Sequence, residues 1–184
     1  MRKVIVSEFV TLDGVMEAPD KWQFPFWNDE TGKFKLDELL ACDALLLGRV
    51  TYQEFAEAWP SMTDEEGFAD RMNSLPKFVV STTLKEPNLK WNNSRLIKGD
   101  ITRETSKLKQ QPGQDILIPG GAGLVHSLMQ RDLIDEYRLL VYPVVLGRGK
   151  RLFRDESNAT LKLVETKTLG SDVVLLTYQP EKQE

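Results

Sequence analysis

Cysteine and histidine are almost absent from this sequence of 184 residues, which holds one of each. The single cysteine, Cys42, cannot form an internal disulfide, and its apolar surroundings are typical of a small buried residue. A disulfide-stabilised secreted domain is therefore excluded, and the low cysteine content is typical of a reducing compartment. We expect a cytoplasmic protein and predict no metal site.

Long apolar runs and an excess of one charge are also missing. No apolar run reaches the length that crosses a bilayer, and no signal-peptide pattern opens the chain. The formal net charge is -4 with both signs interspersed, which argues against a nucleic-acid or membrane partner. Length and composition predict one domain over residues 1–184 with a sizeable core.

Strand-like and helix-like apolar periodicities alternate along most of the chain. This alternation implies parallel strands, whereas a closing hairpin around Gly170 adds an antiparallel pair. We predict an α/β fold, a three-layer sandwich around one mixed sheet of about eight strands. Strands are predicted at 2–10, 43–48, 77–82, 95–98, 115–119, 136–146, 160–169 and 172–179, and helices at 34–42, 52–59, 64–75, 102–111 and 123–131.

A cation stands where the second predicted strand gives way to a helix. Gly48 ends three leucines, Arg49 follows, and Thr51 with Glu54 has the spacing of a capping box, which predicts a helix start at Tyr52. A capped helix end is often purely structural. A basic side chain at such an end also complements a bound phosphate, so both interpretations stay open here.

A second junction runs from a buried strand through glycines into a helix. Residues 120–123 read Gly-Gly-Ala-Gly, and no Ser, Thr, Asp or Asn is available to cap the helix. Glycines let an anion approach the first amides of that helix, although they also serve a tight turn.

Two familiar phosphate-binding motifs fail at nearby positions. The Rossmann pattern that Gly121 and Gly123 begin meets His126 where the third glycine belongs, and it lies too late in the chain. The P-loop pattern at 147–150 has Val144 in place of its first glycine and Arg151 in place of Ser or Thr. A basic turn is the simpler interpretation of that segment.

Six short motifs occur in the chain at residues 11–14, 48–51, 79–82, 120–123, 135–138 and 143–149. In their sequence and order they resemble the dihydrofolate reductase superfamily. The late segment and the Thr-Leu-Asp-Gly near the start are more similar to one branch, the reductase domain of the bacterial riboflavin-biosynthesis deaminase-reductase and its stand-alone relatives. One histidine and one cysteine are too few for the zinc site of the deaminase half. The motifs are Gly48-Arg49-Val50-Thr51, Val79-Val80-Ser81-Thr82, Gly120-Gly121-Ala122-Gly123, Asp135-Glu136-Tyr137-Arg138, residues 143–149 and residues 11–14.

The resemblance implies a dihydrofolate reductase-like mixed sheet that binds NADPH across the carboxyl ends of its strands. An arginine at residue 49 would favour NADPH over NADH, because the additional phosphate needs a cation. Ser81 and Thr82 have a local alternative, which is capping of nearby backbone. The implied cofactor-binding residues are Gly48, Arg49, Thr51, Ser81, Thr82, Lys98, Gly120, Gly121, Ala122 and Gly123.

Catalytic and acceptor-binding residues are less defined by the sequence. In the riboflavin branch the aspartate of the Thr-x-Asp-Gly motif lies at the active-site cleft, which makes Asp13 the first catalytic candidate, although Asp-Gly is also a strong turn signal. Folate reductases carry an acid at the start of the helix of the second element, where it binds the pterin. Asp29 and Glu30 fall near that position. For an acceptor pocket we predict Trp22, Trp27 and Asp29, with Glu17, Phe24, Glu30 and Trp59 as further candidates.

We therefore expect an NADPH-dependent reductase acting on a small cyclic, pyrimidine- or pterin-like acceptor, similar to the 5-amino-6-(5-phosphoribosylamino)uracil reductase. A dihydrofolate reductase and a nucleotide-binding protein without turnover are the alternatives. The C-terminal strands are apolar on both faces, and no helix is predicted after them. We expect a homodimer through these strands, as in the riboflavin-branch relatives.

Overall fold

The computed structural model describes residues 1–181, in which eight strands form one sheet. The strands are β1 (Val4–Thr11), β2 (Cys42–Gly48), β3 (Lys77–Val80), β4 (Ser94–Ile97), β5 (Asp115–Ile118), β6 (Glu136–Tyr142), β7 (Leu161–Leu169) and β8 (Val173–Pro180). Their order across the sheet is β4-β3-β2-β5-β1-β6-β8-β7.

The first six strands pair with one another in parallel, whereas β8 pairs antiparallel with both of its neighbours. β1 pairs in parallel with both β5 and β6, and β2 pairs in parallel with β3 and β5. β8 runs antiparallel to β6 and to β7. This confirms the predicted mixed sheet with an antiparallel C-terminal hairpin.

Five α-helices in the described residues cover the two faces of the sheet. They are α1 (Asp29–Leu40), α2 (Arg49–Ala58), α3 (Phe68–Ser74), α4 (Ile101–Gln110) and α5 (Ala122–Met129). Leu39, Tyr52 and Met72 of α1 to α3 are buried in one apolar core. Leu108 of α4 and Val125 of α5 belong to the core of the opposite face. The arrangement is the predicted three-layer sandwich.

Helix α1 begins at Asp29, five residues before the predicted start, and this prediction of its bounds was wrong. Asn28 is the cap residue, and its side chain accepts a hydrogen bond from the Thr31 amide at 3.0 Å. Two acids follow in the first turn, where they complement the helix dipole. The helix therefore starts inside the stretch between the first predicted strand and the first predicted helix.

Helix α2 begins at Arg49 with Gly48 as its cap residue, so the predicted capping box at Thr51 was wrong. Thr51 lies inside the helix, and among residues 1–181 no side chain caps its start. Arg49 therefore occupies the first turn of the helix, directly after β2.

Strand β6 ends at Tyr142, four residues short of its predicted end. Pro143 lacks the amide needed to continue the ladder. Val144 then donates to the Tyr142 carbonyl at 2.8 Å in a tight turn, and its own carbonyl accepts from the Leu12 amide at 2.9 Å. The segment after β6 is thus joined to the turn after β1.

The C-terminal strands carry partly exposed apolar side chains. No helix follows α5 in the part of the chain that the structure describes. Leu163 and Val164 of β7 are 49% and 52% exposed, and Val174 of β8 is 37% exposed. Within residues 1–181 no helix is long and apolar enough to cross a membrane.

Candidate cofactor edge and acceptor cavity

The segments predicted to hold a cofactor lie side by side at one edge of the sheet. The strands that precede them, β2 to β5, are parallel neighbours, so their carboxyl ends meet at the same edge. We call this edge the cofactor edge. It consists of Gly48–Arg49 after β2, Ser81–Thr82 after β3, Lys98 after β4 and Gly120–Gly123 after β5.

Two elements approach each other closely at the glycines. Gly121 has a φ of +103°, and a Cβ placed on it would lie 3.1 Å from Thr51 Oγ1. A Cβ on Gly120 would lie 3.4 Å from Thr51 Cγ2. In the described structure no side chain caps α5, so its first amides remain available to an anion. Gly120 and Gly121 therefore allow the chain to turn into α5 and allow Thr51 of α2 to lie close to that turn.

The cations of the cofactor edge face solvent. Arg49 is exposed, and its Nη1 donates to Gln53 Oε1 at 3.1 Å on the same helix. Lys98 is exposed as well. Both side chains are free to turn toward a phosphate because neither is buried in an ion pair.

Ser81 and Thr82 differ in their surroundings. Ser81 Oγ accepts from the Leu84 amide at 3.0 Å and from the Thr83 amide at 3.2 Å. These bonds favour the local capping alternative for Ser81. Thr82 is exposed at the same edge.

Arg154 lies at the cofactor edge although sequence reasoning did not select it. Its Nη2 stands 3.3 Å from the position of a Cβ on Gly123, in the first turn of α5. Arg154 also lines an open depression together with Arg151, Phe153 and Asp155. The sequence signal was the basic segment after β6, which was interpreted only as a turn.

A cavity of about 100 Å³ lies beside the cofactor edge, between the sheet and the first three helices. Pro119 lines this cavity and is followed directly by Gly120. We call it the acceptor cavity. Its lining residues are Ser7 and Phe9 of β1, Lys35, Glu38 and Leu39 of α1, Phe55 of α2, Trp59 next to α2, Phe68 and Met72 of α3, and Leu117 and Pro119 at the end of β5.

The acceptor cavity is mostly apolar with one polar wall. Lys35 Nζ donates to Glu38 Oε2 at 2.6 Å and to Ser7 Oγ at 2.9 Å. Arg138 Nη1 donates to Glu38 Oε1 at 3.2 Å, and its Nε donates to Glu136 Oε1 at 2.7 Å. Such a combination of flat aromatic walls and a few polar groups is typical of small-molecule sites.

Asp13 is held in the turn after β1. Its carboxylate accepts from Thr11 Oγ1 at 2.6 Å, from the Gly147 amide at 2.7 Å and from the Leu146 amide at 3.3 Å. The bonds from Thr11 and Gly147 lower the pKa of Asp13 to about 2. These contacts favour the turn alternative, because an aspartate ionised at neutral pH has no proton to donate.

Trp22, Trp27 and Asp29, which were predicted first for the acceptor pocket, do not line the cavity. Trp22 is buried against Tyr142, and its Nε1 donates to the Glu17 carbonyl at 3.0 Å. Trp27 is 46% exposed and packs beside Gly32 of α1. Asp29 is exposed in the first turn of α1. Trp59, the further candidate, does line it.

Glu8 is a buried acid on the other side of the sheet from the cavity. It lies between Ser7 and Phe9 in β1, so its side chain points to the opposite face. Its Oε1 has no hydrogen-bond partner in the described residues. Burial raises the pKa of Glu8 to about 8, against a smaller lowering effect of the Lys35 charge. Glu8 is therefore protonated at neutral pH.

The mixed sheet, its antiparallel C-terminal strands and the glycine segment before a late helix define an α/β protein of the dihydrofolate reductase-like fold. The chain belongs to the RibD C-terminal domain family, whose model matches residues 2–175. Membership of this family supports the assignment of the chain to reductases of the riboflavin-biosynthesis kind.

Similar proteins agree with this assignment. The uncharacterized protein YyaP of Bacillus subtilis is 35% identical over 182 residues, which are 96% of this chain and 94% of YyaP. A putative riboflavin biosynthesis protein from Shewanella sp. PV-4 has a TM-score of 0.77 at 24% identity, covering 98% of this chain and 99% of that one. Dihydrofolate reductase from Enterococcus faecalis, complexed with NADP(H), has a TM-score of 0.64 at 12% identity, covering 98% and 97%. At these identities the two structures show the fold alone.

Proposed function

We propose that this protein is an NADPH-dependent reductase that transfers a hydride to a small cyclic acceptor of the pyrimidine or pterin kind. The observation that carries the proposal is the contact between the Gly121 segment and Thr51 at the cofactor edge. Gly120 and Gly121 have no Cβ to collide with Thr51, so the turn can close tightly beside helix amides that have no capping side chain in the described residues. An anionic pyrophosphate fits such a cradle.

The residues of the cofactor edge fit a dinucleotide with an additional phosphate. The amides of Gly121 to Gly123 would bind the pyrophosphate, and Arg154, whose guanidinium lies beside the first turn of α5, would add a charge-assisted bond. Arg49 would bind the 2′-phosphate of the adenosine, with Thr82 and Lys98 beside it. NADPH, when bound, supplies the hydride.

The acceptor cavity is where the substrate would lie. It adjoins the cofactor edge through Pro119 and Gly120, so a ring inside it would be next to the cofactor. Phe9, Phe55 and Trp59 offer aromatic faces for a flat ring and exclude water from it. Holding the cofactor and the acceptor next to each other is the main requirement of hydride transfer.

Titration with NADPH and an oxidation assay test the proposal together. We expect saturable NADPH binding by fluorescence, and oxidation of NADPH with at least one member of a panel of pyrimidines, pterins and dihydrofolate. Saturable binding with no oxidation across the panel would favour the nucleotide-binding alternative. An absence of binding at millimolar NADPH would refute the proposal at its first step.

A further inference from the structure

Lys35 brings a positive charge to the wall of an otherwise apolar cavity. It projects from the middle of α1, and its side chain is only 12% exposed. Its ammonium group lies 5.4 Å from the centre of the Phe9 ring, which lines the same cavity. A buried lysine is costly unless its charge is balanced, so its position needs an explanation.

Neighbouring carboxylates balance this charge in a four-residue network. Glu38, the only other charged residue that lines the cavity, has one oxygen bonded to Lys35 and the other to Arg138. Glu136 in turn accepts from Arg138 at 2.7 Å and lies 3.8 Å from Lys3 Nζ. Both oxygens of Glu38 are therefore engaged within the protein.

Hydrogen-bond donors consequently remain without an acceptor, among the described residues, on two side chains that line the cavity. An ammonium group has three N–H donors, of which Lys35 uses one on Glu38 and one on Ser7. Because Ser7 Oγ accepts from Lys35, its own hydroxyl hydrogen is free to donate. The polar wall thus presents one ammonium N–H and one hydroxyl O–H side by side.

We infer that Lys35, with Ser7, is the specificity-determining pair of the acceptor cavity, and that it selects ligands whose ring edge carries hydrogen-bond acceptors, such as oxo groups. Glu38 and Arg138 are positioning residues that hold the ammonium in place. This inference rests on the proposed function only in taking the cavity as the acceptor site. A ligand whose ring edge carries amino groups would place its own hydrogen-bond donors against those of Lys35 and Ser7. This arrangement lowers the affinity of the protein for that ligand.

Two bicyclic ligands of the same shape test this directly. Lumazine carries oxo groups at the two positions where 2,4-diaminopteridine carries amino groups, and both bind observably by fluorescence. For the wild-type protein we expect lumazine to bind at least roughly tenfold tighter than the diamino compound. Equal binding, tighter binding of the diamino compound, or no binding of either at millimolar concentration would overturn the inference.

Variants of α1 assign the preference to one side chain. Lys35→Met should lower lumazine affinity by roughly tenfold or more and leave the diamino compound unchanged. Lys33→Met is the matched control, because Lys33 lies on the solvent side of the same helix with a side chain 75% exposed, and it should behave as wild type. A folded Lys35→Met protein that keeps the wild-type preference would show that Lys35 is only structural.

The design separates this inference from the proposed function. If Lys35→Met does not fold, Ser7→Ala carries the same test, with a smaller expected loss of lumazine affinity and an unchanged diamino affinity. NADPH affinity is measured on the same samples and should not depend on residue 35. A lumazine preference without NADPH binding would support the inference and refute the proposed cofactor, whereas NADPH binding without the preference would do the reverse.

Discussion

Thr51 and Gly121 meet across the cofactor edge, where a Cβ on the glycine would stand 3.1 Å from the threonine Oγ1. The two residues follow different strands, β2 and β5, which are neighbours in the sheet. Their contact brings the first turn of α2, which carries Arg49, close to the start of α5. Three of the predictions below depend on this arrangement.

Arg49 should discriminate between the two nicotinamide cofactors. We expect Arg49→Ala to weaken NADPH by about 1.5–3 kcal/mol, the range of a charge-assisted hydrogen bond, and to change NADH little. Titration of both cofactors by fluorescence measures the difference. Gln53→Ala, which removes only the partner of Arg49 on α2, is the control. Equal losses for both cofactors would mean that Arg49 contacts a shared phosphate or is structural.

Gly121→Val should abolish cofactor binding in a folded protein, because its side chain would enter the space beside Thr51. The φ of +103° also strains any residue other than glycine. Gly67→Val controls for this strain, since Gly67 has a φ of +84° and no atom within 4 Å of its Cβ position. Circular dichroism reports folding and NADPH titration reports binding. Wild-type affinity in a well-folded Gly121→Val protein would contradict the phosphate cradle.

Arg154→Ala should weaken NADPH and NADH equally, since the residue faces the start of α5 and not the adenosine end. A loss of about 1–3 kcal/mol is expected for one charge-assisted bond. Arg131→Ala is a suitable control, because Arg131 lies beyond the other end of α5 and donates to the Ser127 carbonyl at 2.7 Å. A loss confined to NADPH would instead assign Arg154 to the 2′-phosphate.

Glu8 should make the protein less stable as the pH rises. Burial raises its pKa from 4.5 to about 8, so between these values the folded chain binds a proton that the unfolded chain has released. The stabilising effect is complete below about pH 4.5 and is lost as the pH approaches 8. Denaturant unfolding at pH 5, 7 and 9 should show this decline, and Glu8→Gln should flatten it. An identical pH profile in the variant would show that other groups determine it.

The exposed apolar residues of β7 and β8 should join two copies of the chain. Leu163 and Val174 are 49% and 37% exposed on this part of the sheet, and β7 is an edge strand. We expect a dimer mass by light scattering and a monomer for Val174→Glu. Met62→Lys changes an equally exposed residue elsewhere and should stay dimeric. A monomer mass for the wild type across micromolar concentrations, with full solubility, would contradict this prediction.

The sequence predicted those features whose signals are local. Alternating apolar residues identified the strands, and the hairpin around Gly170 was confirmed with its antiparallel pairing. The capping box at Thr51 failed although its pattern was present, because α2 starts earlier, at Gly48 and Arg49, with Thr51 packed beside the glycines. A tertiary contact outweighed a local preference there.

The acceptor cavity could not be predicted in the same way. Its polar wall depends on the bond between Glu38 and Arg138, which are 100 residues apart in the chain. Glu38 belongs to no motif, Arg138 stands in the Asp135–Arg138 motif without a role assigned to it, and Lys35 reads as an ordinary helix lysine. Arg154 was missed for a related reason, because only the folded chain brings it beside Gly123. The positions of these charged residues indicate a site only once the elements that carry them are packed together.

The central place of β1 has a consequence for how the chain folds during synthesis. This strand is synthesised before the other strands of the sheet, yet its neighbours β5 and β6 are made much later. The Lys3 amide bonds to Asp115, 112 residues away, and the Val4 amide bonds to Asp135, 131 residues away. An apolar strand thus stays without its partners until most of the chain has emerged, and premature pairing or aggregation must be avoided meanwhile. The sheet on both sides of β1 can therefore be completed only after β6 has been synthesised.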